Sequence, residues 1–185
     1  MKRLPKAGDL SGSLLVAHPI MADPNFRHTI LYLSHHSAED GALGFILNRP
    51  LGQKASDLNV AAPLKYISQV PLFEGGPVQR NQIIVASLEW DANSNACRFE
   101  PLQKPDGELE LPLGHNETLR VFLGYAGWSK NQLEKEIALS SWIVIKPHPE
   151  LLRPDANDAT WHRIMHNLGP MYRILAQAPP NPSQN

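Results

Sequence analysis

Thr29-Ile30-Leu31-Tyr32-Leu33-Ser34-His35-His36, then a turn at Ser37-Ala38-Glu39-Asp40-Gly41, then Leu43-Gly44-Phe45-Ile46-Leu47-Asn48: this stretch decides the fold. The first run is rich in β-branched and aromatic residues. A period of two puts Thr29, Leu31, Leu33 and His35 on one face, and Ile30, Tyr32, Ser34 and His36 on the other. Two such runs joined by a polar turn predict an antiparallel hairpin, closed by Pro50. Upstream, the apolar run from Ser13 to His18 predicts a buried strand ended by Pro19. Asp23 before Pro24 predicts the start of one or two helical turns, with the aspartate as cap and the proline where a backbone N–H is not needed.

Downstream the elements stay short. Ala55 to Val60 predicts a brief helix, Val70 to Phe73 an extended run, and Gly75-Gly76-Pro77 a tight turn. Ile83 to Leu88, Cys97 to Phe99, Leu119 to Tyr125 and Ser141 to Ile145 read as further strands. Ser129 with Gln132 three residues on has the spacing of a capping box, and Trp128 can staple against Leu133. Trp161, Ile164, Met165 and Leu168 recur at i, i+3, i+4, i+7, which predicts a last helix over Ala159 to Leu168. Many strands without regular strand-helix alternation predict a single α+β domain over residues 8–177 with mixed or antiparallel pairing. The proline-rich residues 178–185 are expected to be a disordered tail.

Composition narrows the function classes. There are 17 Lys and Arg against 18 Asp and Glu, a net charge of -1, so no overall field draws in nucleic acid or an anionic membrane. Hydrophobic residues make up 42%, enough for a packed core, while 17 prolines disfavour long helices. Cys97 is the one cysteine, which excludes an internal disulfide and suits a reducing compartment. Lys2, Arg3 and Lys6 are followed by charge and glycine where a signal peptide needs an apolar run, and no apolar stretch reaches the ~20 residues that cross a bilayer. A cytoplasmic protein is expected, with no membrane association.

The reactive residue types fall into few recognisable patterns. His162 and His166 lie four apart but lack the glutamate of a metalloprotease helix, and adjacent His35 and His36 point to opposite faces of a strand, so neither pair predicts a metal. No nucleophile elbow is present, and Cys97 has no motif behind it. Gly75-Gly76-Pro77 lacks the lysine and hydroxyl of a phosphate loop. Gly124-Tyr125-Ala126-Gly127-Trp128 can be read as an anion-holding corner or as a strand-to-helix bend. Glu134 and Glu136 sit in a charged stretch and read as solvated. Asp23 can cap or bind a donor, and Asn48-Arg49 ends a strand with groups that can recognise a carboxylate or phosphate.

Three segments together resemble a known family. The first runs Gly12-Ser13-Leu14-Leu15-Val16-Ala17-His18-Pro19-Ile20-Met21-Ala22-Asp23-Pro24-Asn25-Phe26, with Tyr32, His35, Gly41-Ala42-Leu43-Gly44 and Asn48-Arg49-Pro50 beyond it. The second is Gly75-Gly76-Pro77-Val78. The third runs from Gly124-Tyr125-Ala126-Gly127-Trp128-Ser129 through Gln132-Leu133-Glu134 to Trp142. In this order they resemble the AlgH/YqgE family of small bacterial proteins. The resemblance implies a bifurcated sheet folded into a pseudo-barrel with a few short helices, and a protein with no established enzymatic activity. Two departures stand out. The family often carries a leucine-histidine pair after the Gly-Gly-Pro segment, where this chain has Val85-Ala86-Ser87, and it often ends in Gly-His-Ala, which this chain lacks.

Most of these signature residues set backbone geometry more than reactivity, so the first expectation is a cytosolic binding or regulatory module, acting on transcription only indirectly. The structural part of the signature is Pro24, Gly124, Gly127, Trp128, Ser129 and Gln132. A second expectation is an enzyme or small-ligand binder whose pocket gathers Asp23, His35, Asn48 and Arg49, with Gly75 and Gly76 as further candidate ligand contacts. No catalytic residue, cofactor or metal is assigned. The expected partner is a protein or small molecule, with no direct nucleic-acid contact.

Overall fold

The computed structural model describes residues 8–37, 39–58, 67–102 and 119–177. They form one α+β domain built on nine strands: β1 (Leu14–Ala17), β2 (Ile30–Ser37), β3 (Gly41–Ile46), β4 (Pro50–Lys54), β5 (Pro71–Glu74), β6 (Val78–Asp91), β7 (Ala96–Pro101), β8 (Leu119–Trp128) and β9 (Trp142–Ile145). The helices are α1 (Gln132–Ala138), α2 (Asp158–Leu168) and α3 (Pro170–Gln177). The sheet runs β4-β5-β8-β3-β2-β1-β9, with β6 on β8 and β7 on β6.

The sheet forks at β8. Its first half pairs in parallel with β5 on one side and antiparallel with β6 on the other, while Ala126 to Trp128 pair with β3. The bend falls at Gly124, whose φ of +70° lies in the left-handed region that favours glycine. A Cβ there would come within 2.6 Å of the Val78 carbonyl oxygen and 2.7 Å of that of Gly76. Gly75 abuts the same place: a Cβ on it would overlap the Gly124 carbonyl oxygen. The second and third signature segments therefore meet backbone to backbone, where a side chain has no room.

Both faces of the central strands are covered, which explains why Leu14 to Ala17 and Ile30 to Leu33 are apolar throughout. Leu14, Val16, Ile30 and Tyr32 face Trp161, Ile164 and Met165 of α2. Leu15, Ala17, Leu31 and Leu33 face Trp128, Leu133 and Trp142. A third apolar cluster, including Leu72, Val85 and Val121, fills the space where β5, β6 and β8 meet.

Several local expectations are corrected. No helix follows Pro24: Asp23 Oδ1 accepts the Asn25 N–H (2.8 Å) and the Asp23 carbonyl accepts from Phe26 and Arg27, closing a compact turn. Residues 55–57 make only a 3-10 turn that ends at extended Leu58, and the last two residues of that expected helix, Asn59 and Val60, lie outside the described residues. Helix α1 starts at Gln132 after Asn131, later than the expected cap; Gln132 Oε1 does reach back to the Ser129 N–H (3.1 Å), and Trp128 shares a core cluster with Leu133. Helix α3 was not expected. Gly169-Pro170 breaks the chain after α2, and a new helix then packs Tyr172 and Ala176 against the core. The tail at 178–185 lies outside the described residues.

Candidate functional site

The hairpin contains a bulge that changes which histidine is buried. Leu33 pairs with Gly44 and His35 with Leu43, so Ser34 is an extra residue on β2 and the alternation shifts by one. His35 is exposed and His36 is buried. The Leu10 N–H donates to His36 Nδ1 (3.2 Å), so Nε2 carries the hydrogen, and it donates to Glu134 Oε1 (2.9 Å). Glu136, expected to be solvated, is half-buried. Its Oε2 accepts the indole N–H of Trp128 (2.9 Å) and of Trp142 (2.7 Å), and its Oε1 accepts from Gln132 (2.9 Å). Phe26 stacks near Trp128 and meets Trp142 edge-on, which joins the first signature segment to the third.

Asn48 and Arg49 are committed to backbone. Buried Asn48 accepts the Ile30 N–H at Oδ1 (2.8 Å) and donates from Nδ2 to the carbonyls of His28 (2.8 Å) and Asn157 (3.3 Å). Arg49 donates to the carbonyls of Pro24, Asn25 and Arg27 and to Glu74 Oε2 (3.2 Å). The carboxylate it recognises is thus one of the chain's own. Asp23 opens the turn whose carbonyls Arg49 binds from outside; the Asn25 N–H donates to Asp23 and its carbonyl accepts from Arg49, while its side-chain oxygen accepts from Arg80 (2.7 Å). His35 is elsewhere: its partner Leu43 is five residues along from Asn48, about 17 Å of extended chain. Asp23, Asn48 and Arg49 all hold the loop at residues 23–30 but through separate hydrogen bonds, and His35 does not join them. Gly75 and Gly76 are buried in the junction, and Gly127 lies in the paired segment of β8.

Other titratable groups are held away from reactivity. Burial pushes the Cys97 thiol up to about 12, so the nucleophilic thiolate is disfavoured. Burial raises the Tyr32 hydroxyl as well, and that hydroxyl donates to the Cys97 carbonyl (3.2 Å). Arg120, drawn down to about 10 by burial, donates to the carbonyls of Leu119 (2.8 Å) and Leu152 (3.0 Å).

The arrangement that sequence reasoning missed involves His28. Its backbone is left-handed, with φ +58°, and its ring stacks on Trp161 at 4.1 Å between centroids. Its Nδ1–H donates to Asp158 Oδ1 (2.9 Å), while His162 Nε2 lies 3.3 Å from Asp158 Oδ2. One donor atom from each of the three lies within 4.8 Å of the others. Among the described residues, these are the ones whose donor atoms are grouped closely enough to hold a metal. Burial lowers the His28 pKa from its ordinary value, with Asp158 opposing the shift, which favours the neutral ring. Along the sequence His162 has only His166 as a histidine partner at helical spacing, while His28 is 130 positions away from Asp158 and carries no motif.

Comparison with known proteins agrees with this architecture. A family model described as AlgH-like matches residues 14–173. A UPF0301 protein of Chlorobium phaeobacteroides is 34% identical over 95% of each chain, and one of Streptomyces avermitilis is 32% identical over 100% of each. The solution structure of AlgH from Pseudomonas aeruginosa superposes with a TM-score of 0.63 at 26% identity, over 97% of this chain and 99% of that one. A protein from Corynebacterium diphtheriae, 21% identical with a TM-score of 0.63 over 96% and 95% of the two chains, shares the fold.

Proposed function

The chain belongs to the AlgH-like family, and on that footing we propose that it is a cytosolic binding or regulatory module that works through contact with a protein or small-molecule partner and reaches transcription only indirectly. The observation that supports this reading is where the polar signature residues point. Asn48 and Arg49 serve backbone carbonyls and an internal carboxylate, and Gln132 serves Ser129 and Glu136. A catalytic group has to reach a reacting atom, and groups already saturated by the fold do not. Among the described residues no helix is long and apolar enough to cross a membrane.

The test combines affinity capture from a native lysate, with mass spectrometry of proteins and small molecules together, and a broad panel of hydrolase and transferase substrates. Asp23→Ala and His35→Ala serve as probes, because both residues are exposed and their replacement leaves the core intact. Expected is a partner recovered in fixed stoichiometry and no turnover on the panel. Turnover abolished by either replacement would overturn the reading in favour of an enzyme.

A further inference from the structure

We propose that His28, Asp158 and His162 form a site for one divalent transition-metal ion of borderline softness, such as Zn²⁺, with a further coordination position left to water or an external ligand. The inference is independent of the functional reading above.

Geometry carries it first. In a tetrahedral site with metal–nitrogen and metal–oxygen bonds of about 2.0–2.1 Å, neighbouring ligand atoms are about 3.3 Å apart. The two histidines here approach one oxygen each of the same carboxylate, His28 Nδ1 at 2.9 Å from Oδ1 and His162 Nε2 at 3.3 Å from Oδ2, and one donor atom from each of the three residues lies within 4.8 Å of the others, so a small turn of the Asp158 carboxylate brings a single oxygen toward both rings. Asp158 and His162 are four apart on α2, so the helix holds them on one face. An ion would replace the proton between His28 Nδ1 and Asp158 Oδ1, the neutral ring then carrying its hydrogen on Nε2.

The surroundings carry it second, because the ring that comes from outside the helix is fixed on several sides. Trp161, fully buried and anchored by its indole N–H on the Ala17 carbonyl (2.8 Å), backs the His28 ring. Asn48 Nδ2 holds the His28 carbonyl and the Asn157 carbonyl, and Asn157 caps α2 by accepting the Ala159 N–H (2.9 Å). One buried amide therefore ties the backbone of the loop ligand to the start of the helix that carries the other two. Such supporting contacts orient metal ligands. His28 also keeps a left-handed φ, uncommon for a residue with a side chain, which places its ring over α2. Two imidazoles and one carboxylate favour Zn²⁺, Co²⁺ or Ni²⁺ over the oxygen-seeking Ca²⁺ and Mg²⁺. Asp158 and His162 are exposed, which leaves a path for the ion.

The test is calorimetric titration of the metal-stripped full chain with ZnCl₂, with the visible spectrum of the Co²⁺ form reporting coordination. Expected is one ion per chain, a tetrahedral Co²⁺ spectrum, and affinity reduced roughly 10- to 100-fold by His162→Ala and by Asp158→Asn. His28→Asn, which tolerates the left-handed backbone, should do the same. His166→Ala, one turn further along the exposed face, should leave affinity unchanged. No binding, or binding that survives His162→Ala and His28→Asn with circular dichroism unaltered, would overturn the proposal and leave the three residues as a hydrogen-bonded tie.

Discussion

The glycine junction at β8 and the histidine cluster at the start of α2 are opposite uses of polar and flexible residues. At the junction, Gly75, Gly76 and Gly124 bring two backbones into contact, and beyond the end of β8 the side chains of Gln132 and Glu136 bond the protein's own donors at Ser129, Trp128 and Trp142. At the cluster, His28, Asp158 and His162 meet one another, with solvent on one side. The family signature includes the junction and excludes all three cluster residues. Residues that shape a fold can therefore form its most recognisable motif while the groups with available chemistry lie outside it.

The largest effect should come from putting a side chain into the junction. Gly75→Ala directs a Cβ at the Gly124 carbonyl oxygen, and neither backbone can move without disturbing the pairing of β5 and β6 with β8. A loss of about 3 kcal/mol or more is expected in urea unfolding. A loss under about 0.5 kcal/mol would mean that the junction yields and that the glycines are not there for close approach.

Asn48→Ala sharpens the contrast, because this residue belongs to the signature yet supports the cluster. Removing its amide leaves the buried Ile30 N–H and the His28 carbonyl without their partner. The expected cost is about 2–3 kcal/mol. The same change should weaken Zn²⁺ binding by roughly tenfold, since the loop ligand loses its hold. Full stability loss with unaltered Zn²⁺ affinity would separate the two regions again.

What the sequence disclosed and what it hid follow one physical division. Strands such as Leu14 to Ala17 and the β2–β3 hairpin were legible because burial on both faces requires unbroken apolar runs. The α2 stripe was legible because Trp161, Ile164 and Met165 repeat at the helical period. The burial of His36 was not legible, because one extra residue at Ser34 reverses the alternation and nothing in Leu33-Ser34-His35-His36 marks a bulge. Helix α3 had a readable stripe in Tyr172, Leu175 and Ala176, masked by the Gly169-Pro170 break. The histidine cluster was hidden most deeply, since His28 and Asp158 are brought together only by the complete topology.

The smallest expected effect concerns how α3 is held beside the first signature segment. His18 Nδ1 accepts the Ile20 N–H (3.3 Å), and its ring meets Tyr172 of α3 edge-on at 5.7 Å. Burial lowers the pKa of His18 below its ordinary value of 6.5, so the folded chain takes up this proton less readily than the unfolded one. The sign follows from linkage. The stabilising contribution is complete above the ordinary pKa and is lost as pH falls from there through the lowered folded value. His28 contributes with the same sign, so the His18 share has to be isolated by difference. Urea unfolding between about pH 7.5 and pH 5.5 should show wild type losing more stability than His18→Phe, which keeps an aromatic edge against Tyr172 and cannot titrate. Equal slopes in the two proteins would show that the His18–Tyr172 contact does not sense the proton, and the acid sensitivity would then belong to the His28 side of the molecule.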